Sequence, residues 1–359
     1  MTLPRVAACI VLVAELAIPF WPSAGSEPQK LFPVRHNRKY GYVDRTGKLV
    51  IKPAFDSADN FSEGLAMVKL CDSNVRAKED KPRIVVTTPE GTNKGPFCQG
   101  QYGFIDTAGK IVIPRQFEDA RLFREGLAPV RPDIDWGYID KTGRMVIETR
   151  FDDTWGFSEG LAYVEIDDKY GFIDRNGKLV ISTRFDSAGD FCEGLAPVSI
   201  DGKYGYIDKG GKDAIALKYD NAAAFSESLG RIVLGERWGF IDKTGSIVIK
   251  PQFDWAGQFS EGLAVVKVNG KRGYINKKGD VVIPPGFSRA EEFSEGLAIV
   301  MVDGKYGYID KTGTVVIKPQ FDEALRFSSG LAWVLIGGIV DGKKGYIDKT
   351  GNYVWIPTN

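Results

Sequence analysis

The chain has 359 residues, 43% of them hydrophobic, with 47 basic and 47 acidic side chains. That balance gives no net field to favour nucleic acid or an anionic membrane, and the hydrophobic share is that of a globular protein rather than a disordered one. The 42 glycines and 12% aromatics fit a turn-dense β protein better than a helical one.

At the N-terminus Arg5 precedes an apolar run over residues 6–21, followed by Ser23-Ala24-Gly25-Ser26. This is the layout of a secretory signal peptide, so residues 1–25 are expected to be removed and 26–30 to form a short leader. Glu15 interrupts the run and makes a membrane anchor costly, so no stable membrane span is expected after cleavage. The expected location is therefore outside the membrane, periplasmic or extracellular.

From residue 31 the chain repeats. A Gly followed by an aromatic residue, and in most copies preceded by one, recurs at 41, 103, 137, 171, 205, 239, 273, 307 and 345, and from Gly103 to Gly307 the spacing is constant, a period of 34. Tandem periods of this size mark an array in which each copy is one supersecondary unit. After each such strand comes D-x-x-G, with Asn276 replacing Asp in the seventh copy. The first residue can accept backbone N–H groups, and the Gly supplies the left-handed conformation that closes a bulged hairpin. A β-branched partner strand follows, such as Val315-Val316-Ile317, then Pro in several copies. A crossover carries aromatics at a fixed interval, such as Phe151/Phe157 and Phe321/Phe327, which are expected to plug the layer between units. S-E-G-L-A then opens the third strand, and pairs such as Asp201-Gly202 and Asn269-Gly270 join it to the next copy.

The ends fix the phase. Leu31 aligns with Leu127, and the last strand starts at Tyr353, so the chain divides into nine three-stranded meanders with no remainder. A propeller usually splits one blade between its termini and has 4–8 four-stranded blades. The expected fold is thus all-β, an open, superhelical, solenoid-like array over residues 31–357. A closed, propeller-like toroid is the alternative.

Two units depart from the pattern. The step from Gly41 to Gly103 exceeds the period by 28, and Cys71 and Cys98 sit at the ends of that insertion. A hairpin tip brings its ends within disulfide reach, so Cys71–Cys98 is the expected bridge and the charged interior an arm or loop. The unit around Gly205 carries Asp213, Ala216, Ser228 and Gly230 at framework positions, which reads as drift or as a bend in the array.

Trp136-Gly137-Tyr138-Ile139-Asp140-Lys141-Thr142-Gly143 and Trp238-Gly239-Phe240-Ile241-Asp242-Lys243-Thr244-Gly245 resemble the bacterial WG repeat, also called the KWG repeat. The resemblance spans nearly all of 31–357, with Tyr-Gly in most copies where the family name implies Trp-Gly. It implies an array that mediates interactions and no common activity.

No enzyme, cofactor or metal is expected. His36 has no second histidine with which to build a metal site or a triad. Each turn Asp serves its own hairpin, whereas calcium needs several oxygens converging on one point. The Glu of S-E-G-L recurs seven times, while a catalytic acid is needed once. Such a Glu is expected to accept backbone hydrogen bonds or pair with a Lys of the adjacent unit. Binding is instead expected where copies differ: Trp155 and Trp255 in the crossover, and Tyr163 and Trp333 on the third strand, opposite Ala332 and Val334. The partner would be an unidentified protein or, through stacking on these rings, a cell-envelope glycan.

Overall fold

The computed structural model describes residues 30–71, 100–338 and 342–356. The expected signal peptide, the leader up to residue 29, Cys98 and the interior of the insertion lie outside the described residues, and so does the Cys71–Cys98 pairing. Among the described residues there are strands and turns and no helix.

The first repeat is a three-stranded antiparallel sheet of β1 (Phe32–His36), β2 (Lys39–Val43) and β3 (Leu49–Phe55). The second has four strands: β4 (Ser57–Ala58), β5 (Ala66–Cys71), β6 (Gly100–Ile105) and β7 (Ile111–Phe117). Seven more four-stranded sheets follow in the same order. The expectation of three-stranded units is corrected here. Part of the crossover is itself a short strand, pairing Ser57 with Lys69 and Ala58 with Val68. Two residues are too few for strand alternation to appear in a sequence.

The expectation of an open array is also corrected: the sheets are the blades of a closed nine-bladed propeller. The contacts that join successive blades recur between the ninth and the first. The turn glycine of each blade lies against the outer strand of the blade before it, Gly109 on Ile51 and Gly351 on Ile317, and Gly47 of blade one lies on Val354 of blade nine. Tyr206 donates its hydroxyl to the Arg231 carbonyl of the following blade, and Tyr346 donates to the corresponding Pro33 carbonyl at 2.9 Å. A shared apolar cluster of Phe32, Val34, Val43, Leu331 and Tyr346 completes the junction.

Closure buries both faces of each blade. In blade four, Ala162, Val164 and Ile173 pack with Tyr138 and Phe151 of blade three, while Phe172 and Phe185 pack with Phe191, Ala196 and Val198 of blade five. Alternation therefore does not divide core from solvent, and Tyr163 and Trp333 are both partly buried. The outer strand is the exposed edge, with Ile111 at 46% exposure and Ile247 at 49%.

The glycine repeated at 41, 103, 137 and onward is explained by close approach. The outer strand shifts register around it, and a Cβ on Gly103 would stand 2.7 Å from the Ile113 carbonyl oxygen and 2.9 Å from the Arg115 nitrogen. The D-x-x-G turns close as expected. Asp44 Oδ1 accepts Thr46 N at 2.8 Å and Lys48 N at 3.0 Å, and Asn276 Oδ1 does the same for Lys278 and Asp280. The unit around Gly205 keeps the strand registers of its neighbours despite its substitutions.

Candidate functional site

The S-E-G-L segment is a tight turn rather than the opening of a strand. Glu63 and Gly64 both have positive φ (51° and 88°), and Ser62 and Leu65 exchange both backbone hydrogen bonds, which is the two-residue hairpin of type I′. From this turn the Glu reaches into the next blade. Glu159 Oε2 accepts Gly194 N at 3.0 Å and lies 3.1 Å from Lys209 Nζ, and Glu227, Glu261 and Glu295 repeat the arrangement. The neighbouring Ser adds a second tie, as when Ser158 Oγ donates to Phe191 O at 2.7 Å. These side chains are spent on holding blades together, as the expected pairing with a Lys of the adjacent unit has it.

The four candidate aromatics do not share one surface. Trp155 and Tyr163 meet as a stacked pair with centroids 6.4 Å apart and planes at 11°. The Arg121 guanidinium lies 3.8 Å from the Trp155 centroid and 4.2 Å from that of Trp136, and it bonds Asp153 at 2.9 Å. The Trp155 ring is thus engaged by both Arg121 and Tyr163, although 37% of the residue is exposed. Burial pushes the Tyr163 hydroxyl well above its ordinary pKa. Beside this cluster Arg124 passes over Gly156 to bond Asp190 at 2.9 Å; the carboxylate is 4% exposed, and burial raises its pKa against the opposing pull of Arg124. Trp255 stands in another blade, half-buried beneath Arg272, whose guanidinium is 4.8 Å from its centroid.

Trp333 lies at the junction of blades nine and one, where the geometry differs from every other junction. Elsewhere the short inner strand and the second crossover Phe fill the space between blades: Phe61 meets Tyr42 edge-on at 4.9 Å, and Phe123 meets Phe104 at 5.0 Å. Blade one shows no inner strand among the described residues. Phe32 fills the inner part of the gap. It occupies a position that seven of the other eight blades give to Ala and one to Gly230, and its ring meets Tyr346 at 5.5 Å. The remainder is a cavity of about 370 Å³ walled by Trp333, Tyr346, Trp355 and Tyr40, with Leu325 of blade nine and Asn60 of blade two at its ends. The Glu tie is missing here as well, because Ser329 stands in the Glu position of blade nine.

Of the predicted positions, Trp333 lines this cavity. Its companions Tyr346 and Trp355 look like ordinary framework in the sequence. The legible signal is Phe32, the one bulky residue in a column of small ones. Cys192 takes the Ser place in its turn, is fully buried, and is not a free thiol. The described residues contain no group of three or more His, Cys, Asp or Glu side chains that could hold a metal ion.

Comparison with known proteins places the repeats. The family described as WG containing repeat matches residues 40–71, 102–131, 136–170, 170–204, 204–238, 238–271, 273–306 and 306–338. No curated protein matches. Among solved structures, "Crystal structure of the eukaryotic initiation factor" superimposes with a TM-score of 0.61 at 13% identity, covering 91% of this chain and 95% of that one. Dihydro-heme d1 dehydrogenase NirN is similar at 12% identity and a TM-score of 0.45, covering 72% of this chain and 71% of that one. Apo AztD from Citrobacter koseri gives 12% and 0.42, covering 80% and 93%. The first likeness concerns the fold alone, and the other two are too distant to carry an argument.

Proposed function

We propose that this chain, which belongs to the WG containing repeat family, is a non-catalytic interaction scaffold, exported from the cytoplasm, that takes an extended segment of a protein partner into the groove between blades nine and one. The observation that carries this reading is the difference between that junction and the others. At the other junctions the inner strand and its Phe occupy the inter-blade space, whereas here the described residues beside β1 border a cavity lined by aromatic rings. An extended segment laid beside β1 would combine main-chain hydrogen bonds for affinity with side-chain pockets for specificity. Export is supported by the N-terminal sequence pattern.

Glycan binding is the second reading, and Trp333 is the observation that favours it, since a ring bordering a cavity is a stacking platform. Trp155 supports it less, because its ring is already engaged by Arg121 and Tyr163. The test is selection of a random peptide display library against residues 26–359, in parallel with a pull-down on insoluble peptidoglycan. The proposal expects extended peptides that bind wild type and lose at least tenfold in affinity for Trp333→Ala, while Trp155→Ala and Trp255→Ala leave binding unchanged. Retention on peptidoglycan with no peptide selected would overturn it in favour of the glycan reading.

A further inference from the structure

Successive strands of a blade run antiparallel. Every hairpin like β1–β2, and every connection from an outer strand to the next blade, therefore lies on one face of the ring, and the D-x-x-G and S-E-G-L turns lie on the other. The two faces carry their charges differently. On the turn face they pair between blades at a regular interval, as Lys141 with Glu63 and Lys209 with Glu159. On the hairpin face some pair too, Lys203 with Asp220 and Lys305 with Asp322 among them.

The charges that make no ion pair among the described residues are sorted around the hairpin face. In the hairpins and connections of blades three to six they are acids, among them Glu118, Asp133, Asp152, Asp168, Asp201 and Glu236. In blades seven, eight, nine and one, Arg38, Lys267, Lys271, Arg289, Lys343 and Lys344 outnumber Asp303 and Glu323. All of these side chains are exposed, Lys267 partly. In a closed ring of nine, blade two stands diametrically opposite the junction of blades six and seven. That diameter divides the acidic arc from the basic one.

We propose that the hairpin face binds a second copy of this chain, face to face, about a twofold axis along that diameter. Such an axis lays blade three over blade one of the other copy, four over nine, five over eight and six over seven. Each acidic blade then meets a basic one, and each contact occurs twice, as a twofold interface requires. Asp133 is set opposite Arg38, Asp168 opposite Lys343, and Glu236 opposite Lys267 and Lys271. An axis at right angles to this one would lay acid on acid, so the arcs fix the orientation as well as the partner. The area suffices. Nine sheets about 10 Å apart, each three strand spacings of about 4.8 Å deep, make a face of about 1,300 Å², against about 800 Å² per partner in a standard interface. The chain's zero net charge leaves no long-range repulsion between copies.

Sedimentation velocity of the 26–359 chain tests this. The wild type is expected to dimerise in about 50 mM NaCl and to associate at least tenfold more weakly in about 500 mM, where surface charges are screened. Two triple variants reverse the arcs. Asp133→Lys/Asp168→Arg/Glu236→Arg makes the face basic, and Arg38→Asp/Lys267→Glu/Arg289→Asp makes it acidic. Asp133 lies in an exposed loop, and each of the other changes installs a residue that another blade carries at the same place. Arg38 already holds the left-handed φ that Asp168 and Glu236 have, and Glu165 and Asp153 are the counterparts of Lys267 and Arg289. Each variant alone is expected to lose at least tenfold in self-association, and an equimolar mixture to form a heterodimer at least as tight as the wild-type dimer. A wild type that stays monomeric at low salt, a dimer indifferent to salt, or variants that self-associate like the wild type would overturn the inference. So would a mixture that stays monomeric.

Discussion

Phe32→Ala is the substitution for which the repeat and the ring make opposite forecasts. Judged by the column of copies, Ala is the framework residue at this position (Ala66, Ala128, Ala162, Ala196), and a change toward consensus commonly stabilises. Judged by the ring, Phe32 is 7% exposed and meets Tyr346 within a cluster that also holds Val34, Val43 and Leu331. Truncating a buried Phe to Ala costs about 3–5 kcal/mol. The lower end, about 3 kcal/mol, applies here because the space left behind would merge with a groove that water can enter. With an unfolding entropy of about 2.1 cal/mol/K per residue over roughly 300 ordered residues, the melting point should fall by about 4–5 °C. Differential scanning calorimetry of the wild type and the variant, with Phe123→Ala as the reference for an ordinary plug, measures it. An unchanged or raised melting point would refute the reasoning, since in an open array Phe32 would sit on an end face with nothing against it.

Arg124→Ala should leave Asp190 buried without its cation, at a cost of about 3 kcal/mol, and Arg124→Ala/Asp190→Asn should recover much of it in urea unfolding. Acid should unfold the protein partly through its turns. Hydrogen bonds from Thr142, Thr244 and Thr312 hold Asp140, Asp242 and Asp310 below the ordinary carboxylate pKa, so their contribution is present above about pH 4 and is lost as pH falls through the folded values. Replacing the three threonines by Val should move the acid midpoint followed by circular dichroism to higher pH.

Much of the blade was legible in the chain. Period, phase, the D-x-x-G hairpins and the role of the repeated Glu all follow from spacing and residue type, because turns and close approaches demand particular residues. Three features were not. The inner strand is very short, as in Ser57–Ala58, and leaves no alternation to read. The Glu-Gly pair of S-E-G-L looks like a strand opening because Glu63 is not a residue expected at positive φ. Closure depends on a small rotation from blade to blade, which no residue type encodes and which also decides that both faces of a sheet are buried. That is why Trp333, Tyr163 and Trp155, similar as variable aromatics in the sequence, have different surroundings in the fold.

The claim on which the rest depends is closure, and a distance between its two ends tests it most directly. Spin labels at Thr46 and Tyr353 flank the contact of Gly47 with Val354, and labels at Ala108 and Leu49 flank the equivalent contact of Gly109 with Ile51 between blades one and two. In a closed ring, pulsed electron paramagnetic resonance should give the same short distance for both pairs. In an open stack, with sheets about 10 Å apart over eight steps, the first pair would separate to about 80 Å while the second stayed short.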